Sequence, residues 1–207
     1  MGEKVCIIGS GPGGHSAALR AAKLGAEVTV VEEDQPGGVC VNWGCIPTKS
    51  LITGSRLFQQ IKHAGELGID VQGEVRPDWK QMSNKKDKVV ETQKKAVRDL
   101  FSRAGIEFVQ GRAHISEGKS ILVQENNGEK TTLQWDKLII ATGSRAAELP
   151  GQPFDKERII SSDRAVELRE LPSRALILGG GVIGCEYACM LSDLGVEVVI
   201  VEALSRL

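Results

Sequence analysis

The chain has 207 residues, 41% of them hydrophobic, with 24 glycines and a formal net charge of −1. Acids and bases are balanced and interspersed, which speaks against nucleic acid or a membrane surface as partner. No apolar run reaches the roughly 18 residues that a bilayer-spanning helix needs. Five cysteines is an odd count, so at least one has no partner within the chain. A reducing cytoplasm with one reactive disulfide fits this better than export with a disulfide framework.

The chain opens directly into Val5–Ile8, an apolar β-rich segment with no signal-peptide pattern before it. Gly9-Ser10-Gly11-Pro12-Gly13-Gly14 follows. Helical spacing then runs from His15 to Leu24, with Gly25 as its stop. Glu27–Glu32 reads as a second strand, which completes one βαβ unit. A lone G-x-G-x-x-G is a weak signal. Here Gly9, Gly11 and Gly14 follow a strand, open a helix and are followed by Glu32 at the end of the next strand. That context is what a dinucleotide site requires. The glycines let the backbone turn tightly and let a pyrophosphate approach the helix start, and the acid can accept hydrogen bonds from ribose hydroxyls.

Cys40 and Cys45 come next, five positions apart and flanked by Gly38, Val39 and Gly44, before a helix that continues through Leu51–Lys62. Two thiols this close can close a disulfide, but by loop entropy such a bond stabilises a fold by only about 2 kcal/mol. Reversible redox chemistry is the better reason for the pair. A helix start and the nearby Lys49 both favour thiolate, the reactive form. Cys6, Cys185 and Cys189 lie in apolar patterns and read as small core residues. Trp43, between the two motif cysteines, reads as a packing residue. His15, His63 and His114 read as solvent-facing or packing residues.

Residues 78–104 read as a long charged amphipathic helix. From Ile106 to Trp135 the text turns β-like, with short strands at Glu107–Val109, His114–Ile115, Ile121–Val123 and Thr131–Leu133. Asn127-Gly128 is a hairpin signal between the last two. Leu138–Ala141 reads as a buried strand ending at Thr142-Gly143, and a linker is expected around Leu149–Pro153. The opening pattern then recurs: a strand at Ala175–Leu178, a glycine run with Gly179, Gly181 and Gly184, a helix to about Leu194, and a strand at Val196–Val201 ending in Glu202. Gly9 to Glu32 and Gly179 to Glu202 each span 23 positions. An acid at Glu202 repels a 2′-phosphate, so the second unit is expected to take NAD rather than NADP. Thiol and nicotinamide chemistry do not couple directly, whereas a flavin exchanges electrons with both. FAD is therefore expected in the first unit and NAD in the second. The fold class expected is α/β: a Rossmann-like FAD-binding unit with a β-meander insertion over residues 1–150, then the start of a second, NAD-binding unit over 151–207.

The run Gly37-Gly38-Val39-Cys40-Val41-Asn42-Trp43-Gly44-Cys45-Ile46-Pro47-Thr48-Lys49, with Ala141-Thr142-Gly143 and the glycine motif from Gly179 to Glu186, resembles the class I pyridine nucleotide–disulfide oxidoreductases. The resemblance covers nearly the whole chain, and the cysteine motif is its most specific part. Ile46-Pro47-Thr48-Lys49 and Glu202 resemble the dihydrolipoamide dehydrogenase branch most, with mercuric reductase a close rival at the cysteine motif. The resemblance implies that Cys40 is the interchange thiol, that Cys45 faces the flavin, and that Lys49 stands near flavin N5 and pairs with Glu186. It implies further that Val182 covers the flavin where nicotinamide enters, that Ala113 meets the adenine through its backbone, and that Thr142, Gly143 and Ser144 line the FAD site. The parent reaction would reoxidise lipoyl groups on a protein of a 2-oxo acid dehydrogenase complex with NAD⁺, in a homodimer. Full-length members are about twice as long and add a C-terminal His–Glu base. Here the residues five positions after the three histidines are Arg20, Gly68 and Lys119. An N-terminal portion of a longer enzyme is therefore expected, or alternatively a non-catalytic FAD-binding fragment.

Overall fold

The repeat seen in the sequence is the organising element of the structure, a computed structural model that describes residues 2–206. The chain divides into two compact units, one built from residues up to 42 with 90–147, the other from 43–89 with 148 onward.

In the first unit, β1 (Lys4–Ile8), α1 (Pro12–Lys23) and β2 (Glu27–Glu32) form the expected βαβ turn. The strands pair in parallel, with Lys4 opposite Glu27 and Ile8 opposite Val31. Alternation sends Val5, Ile7, Val28 and Val30 to one face and Cys6, Ile8 and Val31 to the other, and the sheet centre is buried on both sides, as a parallel sheet requires. α1 begins three residues before the spacing suggested. Pro12 is pre-set for a first helical turn and lacks only an N–H that would have no partner there, so the two following glycines are drawn into the helix. A short helix, α2 (Gly38–Asn42), is absent from the sequence reading.

β3 (Glu107–Ser116) joins two segments that the pattern separates. Its first half pairs in parallel with β2 and its second half antiparallel with β4 (Ser120–Glu125). β4 pairs with β5 (Lys130–Gln134) across the Asn127-Gly128 turn, where Gly128 has φ 90°. β6 (Lys137–Ile140) pairs in parallel with β1. The strand order is β5-β4-β3-β2-β1-β6, so the meander extends the nucleotide-type sheet. Ile121 and Val123 cover Cys6 and Val31. Phe101, from the second half of helix α4 (Trp79–Arg103), stacks on Phe108 at 5.9 Å. β6 departs from the expected buried strand. It is the sheet's edge, and Ile140 is 62% exposed.

The second unit contains α3 (Cys45–Lys62), a single 3₁₀ turn at Ala64–Leu67, the first half of α4, a short α5 (Ser162–Ala165), β7 (Arg174–Leu178), α6 (Val182–Asp193) and β8 (Glu197–Val201). Pro47 sits in the first turn of α3, where a helix tolerates it. The core joins Leu51 and Ile52 of α3 to Tyr187, Met190 and Leu191 of α6, with Trp79, Val166 and Val196. Trp43 packs against this cluster, as expected. Leu149 and Gln152 close a one-bridge turn where the linker was expected. Cys6 is buried, but Cys185 is only half-buried and Cys189 is exposed. Both read as core from sequence because α6 is apolar nearly all round, and such a pattern does not say which side faces inward. Among the described residues, no helix is long and apolar enough to cross a membrane.

Tyr187 is the chain's sole tyrosine. Burial, against a weaker opposing hydrogen bond from Thr48, pushes its phenol from 10.0 up to about 12. Burial likewise pushes the Cys6 thiol up to about 11. Both protons are held more tightly in the folded chain. Each group therefore favours folding below its ordinary value and loses that contribution as pH rises through the folded one. We expect the phenolate absorbance to titrate near pH 12 in the native chain and near 10 in denaturant. Coincident native and denatured titrations would show that Tyr187 is not buried.

Candidate functional site

In the first repeat the backbone leaves no room for side chains at two of its glycines. Gly9 has φ 100°, and its N–H donates to Val31 O at 2.8 Å. A Cβ on Gly14 would fall 1.9 Å from Gly9 O, and one on Gly9 would fall 2.2 Å from Ala141 O. Helix and strand thus touch backbone to backbone. Ala141 closes the same contact by donating its own N–H to Ile8 O. Around Gly11 and Gly13, by contrast, there is open space: a Cβ on Gly11 would meet only Gly38 Cα, at 4.0 Å. No side chain caps the start of α1, which leaves its first N–H groups facing that space. A bare, uncapped helix start of this kind suits a phosphate group. Thr142, Gly143 and Ser144 follow β6 on the exposed surface, with Gly143 at φ 75°. Ala113 stands in β3 opposite Val123, half-buried.

Glu32 is 8% exposed, and its carboxylate is well occupied. Oε2 accepts from Ser10 N–H at 2.8 Å and from the Ser10 hydroxyl at 2.7 Å, and Oε1 accepts from Asp34 N–H at 3.0 Å. A carboxylate offers about four acceptor positions, so one on Oε1 remains for a ribose hydroxyl. The residues present therefore fit a dinucleotide in the first unit.

The second repeat reproduces this geometry. Gly179 has φ 105° and donates to Val201 O at 2.8 Å, and a Cβ on Gly184 would fall 2.1 Å from Gly179 O. Nothing lies within 4 Å of a Cβ built on Gly181. Glu202 accepts from Gly180 N–H at 2.6 Å and from Leu204 N–H at 2.9 Å. Hydrogen bonds from Leu204 and Gly180 hold its carboxyl below the ordinary range. Val182 opens α6 and is 75% exposed.

The dithiol residues fall in different elements. Cys40 lies in α2 and is half-buried, and Cys45 is the exposed first residue of α3. Val39, before Cys40, is 42% exposed. Along α3, Cys45, Lys49 and Thr53 share the exposed face while Thr48, Leu51, Ile52 and Ser55 are buried, the division that four-residue spacing produces. Lys49 and Glu186 are 137 positions apart, and the structure brings them together. Lys49 Nζ stands 2.6 Å and 2.7 Å from the two carboxylate oxygens. Their side chains are 56% and 27% exposed.

Two residues that the sequence does not single out, Ser10 and Asn42, join the hydrogen-bond network of the first unit. Besides its bonds to Glu32, Ser10 Oγ accepts from Gly37 N–H at 3.1 Å. Asn42 Nδ2 donates to Gly38 O at 2.8 Å and to Pro36 O at 3.2 Å, while its buried Oδ1 has no partner. Ser10 is a variable position inside the glycine pattern, so only its burial among polar partners marks it.

A profile of the family described as pyridine nucleotide-disulphide oxidoreductase matches residues 3–207. Dihydrolipoyl dehydrogenase of Bacillus subtilis is 41% identical over 204 residues, which cover 98% of this chain and 44% of that protein. Dihydrolipoyl dehydrogenase 3 of Haloarcula marismortui is 42% identical over 204 residues, covering 98% and 42%. Among solved structures, LpdA from Mycobacterium tuberculosis superposes with a TM-score of 0.89 at 27% identity, covering 99% of this chain and 45% of that one. A flavoprotein disulfide reductase of Escherichia coli, RclA, does so at 0.82 and 28%, covering 99% and 43%. The chain spans less than half the length of the curated relatives it matches.

Gly14→Ala should lower unfolding free energy by several kcal/mol or prevent folding, because its Cβ has nowhere to go. Gly13→Ala, in open space, should be neutral or stabilise by up to about 1 kcal/mol. Equal urea midpoints for the two variants would contradict the backbone contact. Glu186→Gln should change stability by less than about 1 kcal/mol, since its partner is solvent-exposed. A larger loss in the same urea titration would show that the pair holds the fold together.

Proposed function

The chain belongs to the pyridine nucleotide-disulphide oxidoreductase family, and from that premise we propose that it is the N-terminal portion of a dihydrolipoyl dehydrogenase. Residues 1–150 would be the first FAD-binding segment with the redox pair, and residues 151–207 the opening of the NAD-binding domain. The family's members are oxidoreductases that use FAD and a pyridine nucleotide. The observation that carries the reading is the Lys49–Glu186 clamp beside the cysteine motif. It ties the helix that begins at Cys45 to the helix of the second glycine motif, one turn from that thiol, as the family resemblance implies.

In this reading Gly9, Gly11, Pro12 and Gly14 hold the FAD pyrophosphate against the start of α1, and Glu32 takes a ribose hydroxyl. Gly38, Val39, Ala113, Thr142, Gly143 and Ser144 supply further backbone contacts. Gly179, Gly181, Gly184 and Glu202 do the same for NAD, with Val182 at the nicotinamide entrance. Lys49, held by both oxygens of Glu186, presents a fixed positive charge at the cofactor site. A dihydrolipoyl thiolate attacks Cys40 Sγ and breaks the Cys40–Cys45 bond. The second substrate thiol then displaces Cys40. The substrate leaves as a disulfide, and Cys40 and Cys45 remain as thiols. FAD held in the first unit would supply the acceptor that lets the electron pair of Cys40 and Cys45 reach NAD⁺. The partners are the lipoyl-bearing protein of a 2-oxo acid dehydrogenase complex and a second copy of the enzyme. The location is the cytoplasm, where reducing conditions suit a chain with an exposed thiol at Cys45.

Reconstituting the 207-residue chain with FAD should give a protein-bound flavin absorbance band, and the band should weaken in Glu32→Gln. Thiol titration should rise by two on reduction of the oxidised wild-type chain and should not change in Cys40→Ser. A chain that retains no flavin overturns the first-site assignment. An unchanged rise in Cys40→Ser overturns the redox pair.

A further inference from the structure

The two repeats differ at one position where the geometry is otherwise the same. The residue after the first glycine is Ser10 in one and Gly180 in the other. In both, its backbone N–H donates to the acid that ends the next strand, at 2.8 Å to Glu32 and 2.6 Å to Glu202. In both, the residue two positions after the acid returns a second N–H. The clamp between glycine loop and acid is therefore complete without a side chain. Ser10 adds a hydroxyl that the turn itself does not need, buried at 0% exposure.

That hydroxyl has two partners. It donates to Glu32 Oε2 at 2.7 Å and accepts from Gly37 N–H at 3.1 Å. Gly37 and Gly38 have φ of 93° and 58°, so both lie in the left-handed region that favours glycine. Side chains are excluded there as well. A Cβ on Gly37 would fall 2.5 Å from Val41 Cγ2, and one on Gly38 would fall 2.8 Å from Gly11 Cα. Two consecutive residues without side chains, both in unusual backbone conformations, lead into the short helix that carries Cys40. Gly37 and Gly38 themselves have no side chains to pack, so between buried Pro36 and Val41 the turn is held by its hydrogen bonds. These run to Ser10 Oγ from Gly37, to Gln35 O from Gly38, and from Asn42 Nδ2 to the carbonyls of Pro36 and Gly38. The Ser10 bond ties the segment to the nucleotide-binding loop, where Gly38 also lies against the Gly11 backbone.

We propose that Ser10 is a positioning residue for Cys40: its hydroxyl relays the Glu32 anchor to the Gly37-Gly38 turn and so fixes the helix that presents the thiol. This rests on the reading of Cys40 and Cys45 as a redox pair. Loss of the hydroxyl leaves the Glu32 clamp in place through the backbone and frees the turn. Closure of the disulfide then has to restore order that the wild-type chain already has.

The test is the effective concentration of the Cys40–Cys45 pair, from equilibration of the 207-residue chain in glutathione buffers and mass-spectrometric counting of the disulfide. Ser10→Gly, which copies the second repeat, and Ser10→Ala should each lower it about three- to tenfold. Ser10→Thr, which keeps the hydroxyl, should stay within about twofold of wild type. Should one of the two lesions fail to fold by circular dichroism, the other carries the test. Wild-type values in the lesions, or an equal loss in Ser10→Thr, overturn the role of the hydroxyl while leaving the redox pair intact. A wild-type chain that forms no Cys40–Cys45 disulfide in any buffer overturns the redox reading itself, and this inference with it.

Discussion

Glu32 ends a parallel strand at 8% exposure, where a carboxylate with no hydrogen bonds would be costly. Its three donors come from the glycine loop and from its own turn, so satisfying the charge also fixes both segments. The glycine loop is then held from a second side by the contact between Gly9 O and Gly14, which admits no Cβ. Between them these constraints place the start of α1, bare of side chains, where a phosphate can approach it. The same two constraints recur at Glu202 and Gly184 with distances that differ by a few tenths of an ångström. The dinucleotide-type turn is thus a property of strand, glycine and acid together. No one of these specifies it alone, which is why a solitary glycine pattern is weak evidence.

Local order dominated what could be read from sequence. The βαβ units, the Asn127-Gly128 hairpin and the acids at Glu32 and Glu202 follow from periodicity and turn chemistry, and the structure has each of them. The pairing of Lys49 with Glu186 came from resemblance; spacing would not have found it, because 137 positions separate residues that only the packing of α3 on α6 brings together. The failures are tertiary. β6 reads as a buried strand because Leu138-Ile139-Ile140 is apolar, but its place at the sheet edge leaves Ile140 exposed. Cys189 reads as core because α6 is apolar nearly all round. α2 escapes notice because it is five residues long and begins with a left-handed glycine. Ser10 escapes because glycine patterns treat its position as free.

α3 divides its two faces between packing and the proposed site. Four-residue spacing puts Leu51, Ile52 and Ser55 on one side and Cys45, Lys49 and Thr53 on the other. The buried side meets Tyr187, Met190 and Leu191 of α6. Glu186 precedes Tyr187, so the residue that anchors α6 in the core is adjacent to the one that holds Lys49. An exposed ion pair contributes little to stability, and the apolar contacts beneath it are sufficient to hold the two helices. The clamp takes two oxygens to one ammonium and restricts a long, flexible side chain to one position, one helical turn from Cys45. A charge held one turn from a thiol can favour its thiolate and can stabilise charge that develops in a reaction, and the proposed role of Lys49 and Glu186 in chemistry rests on that.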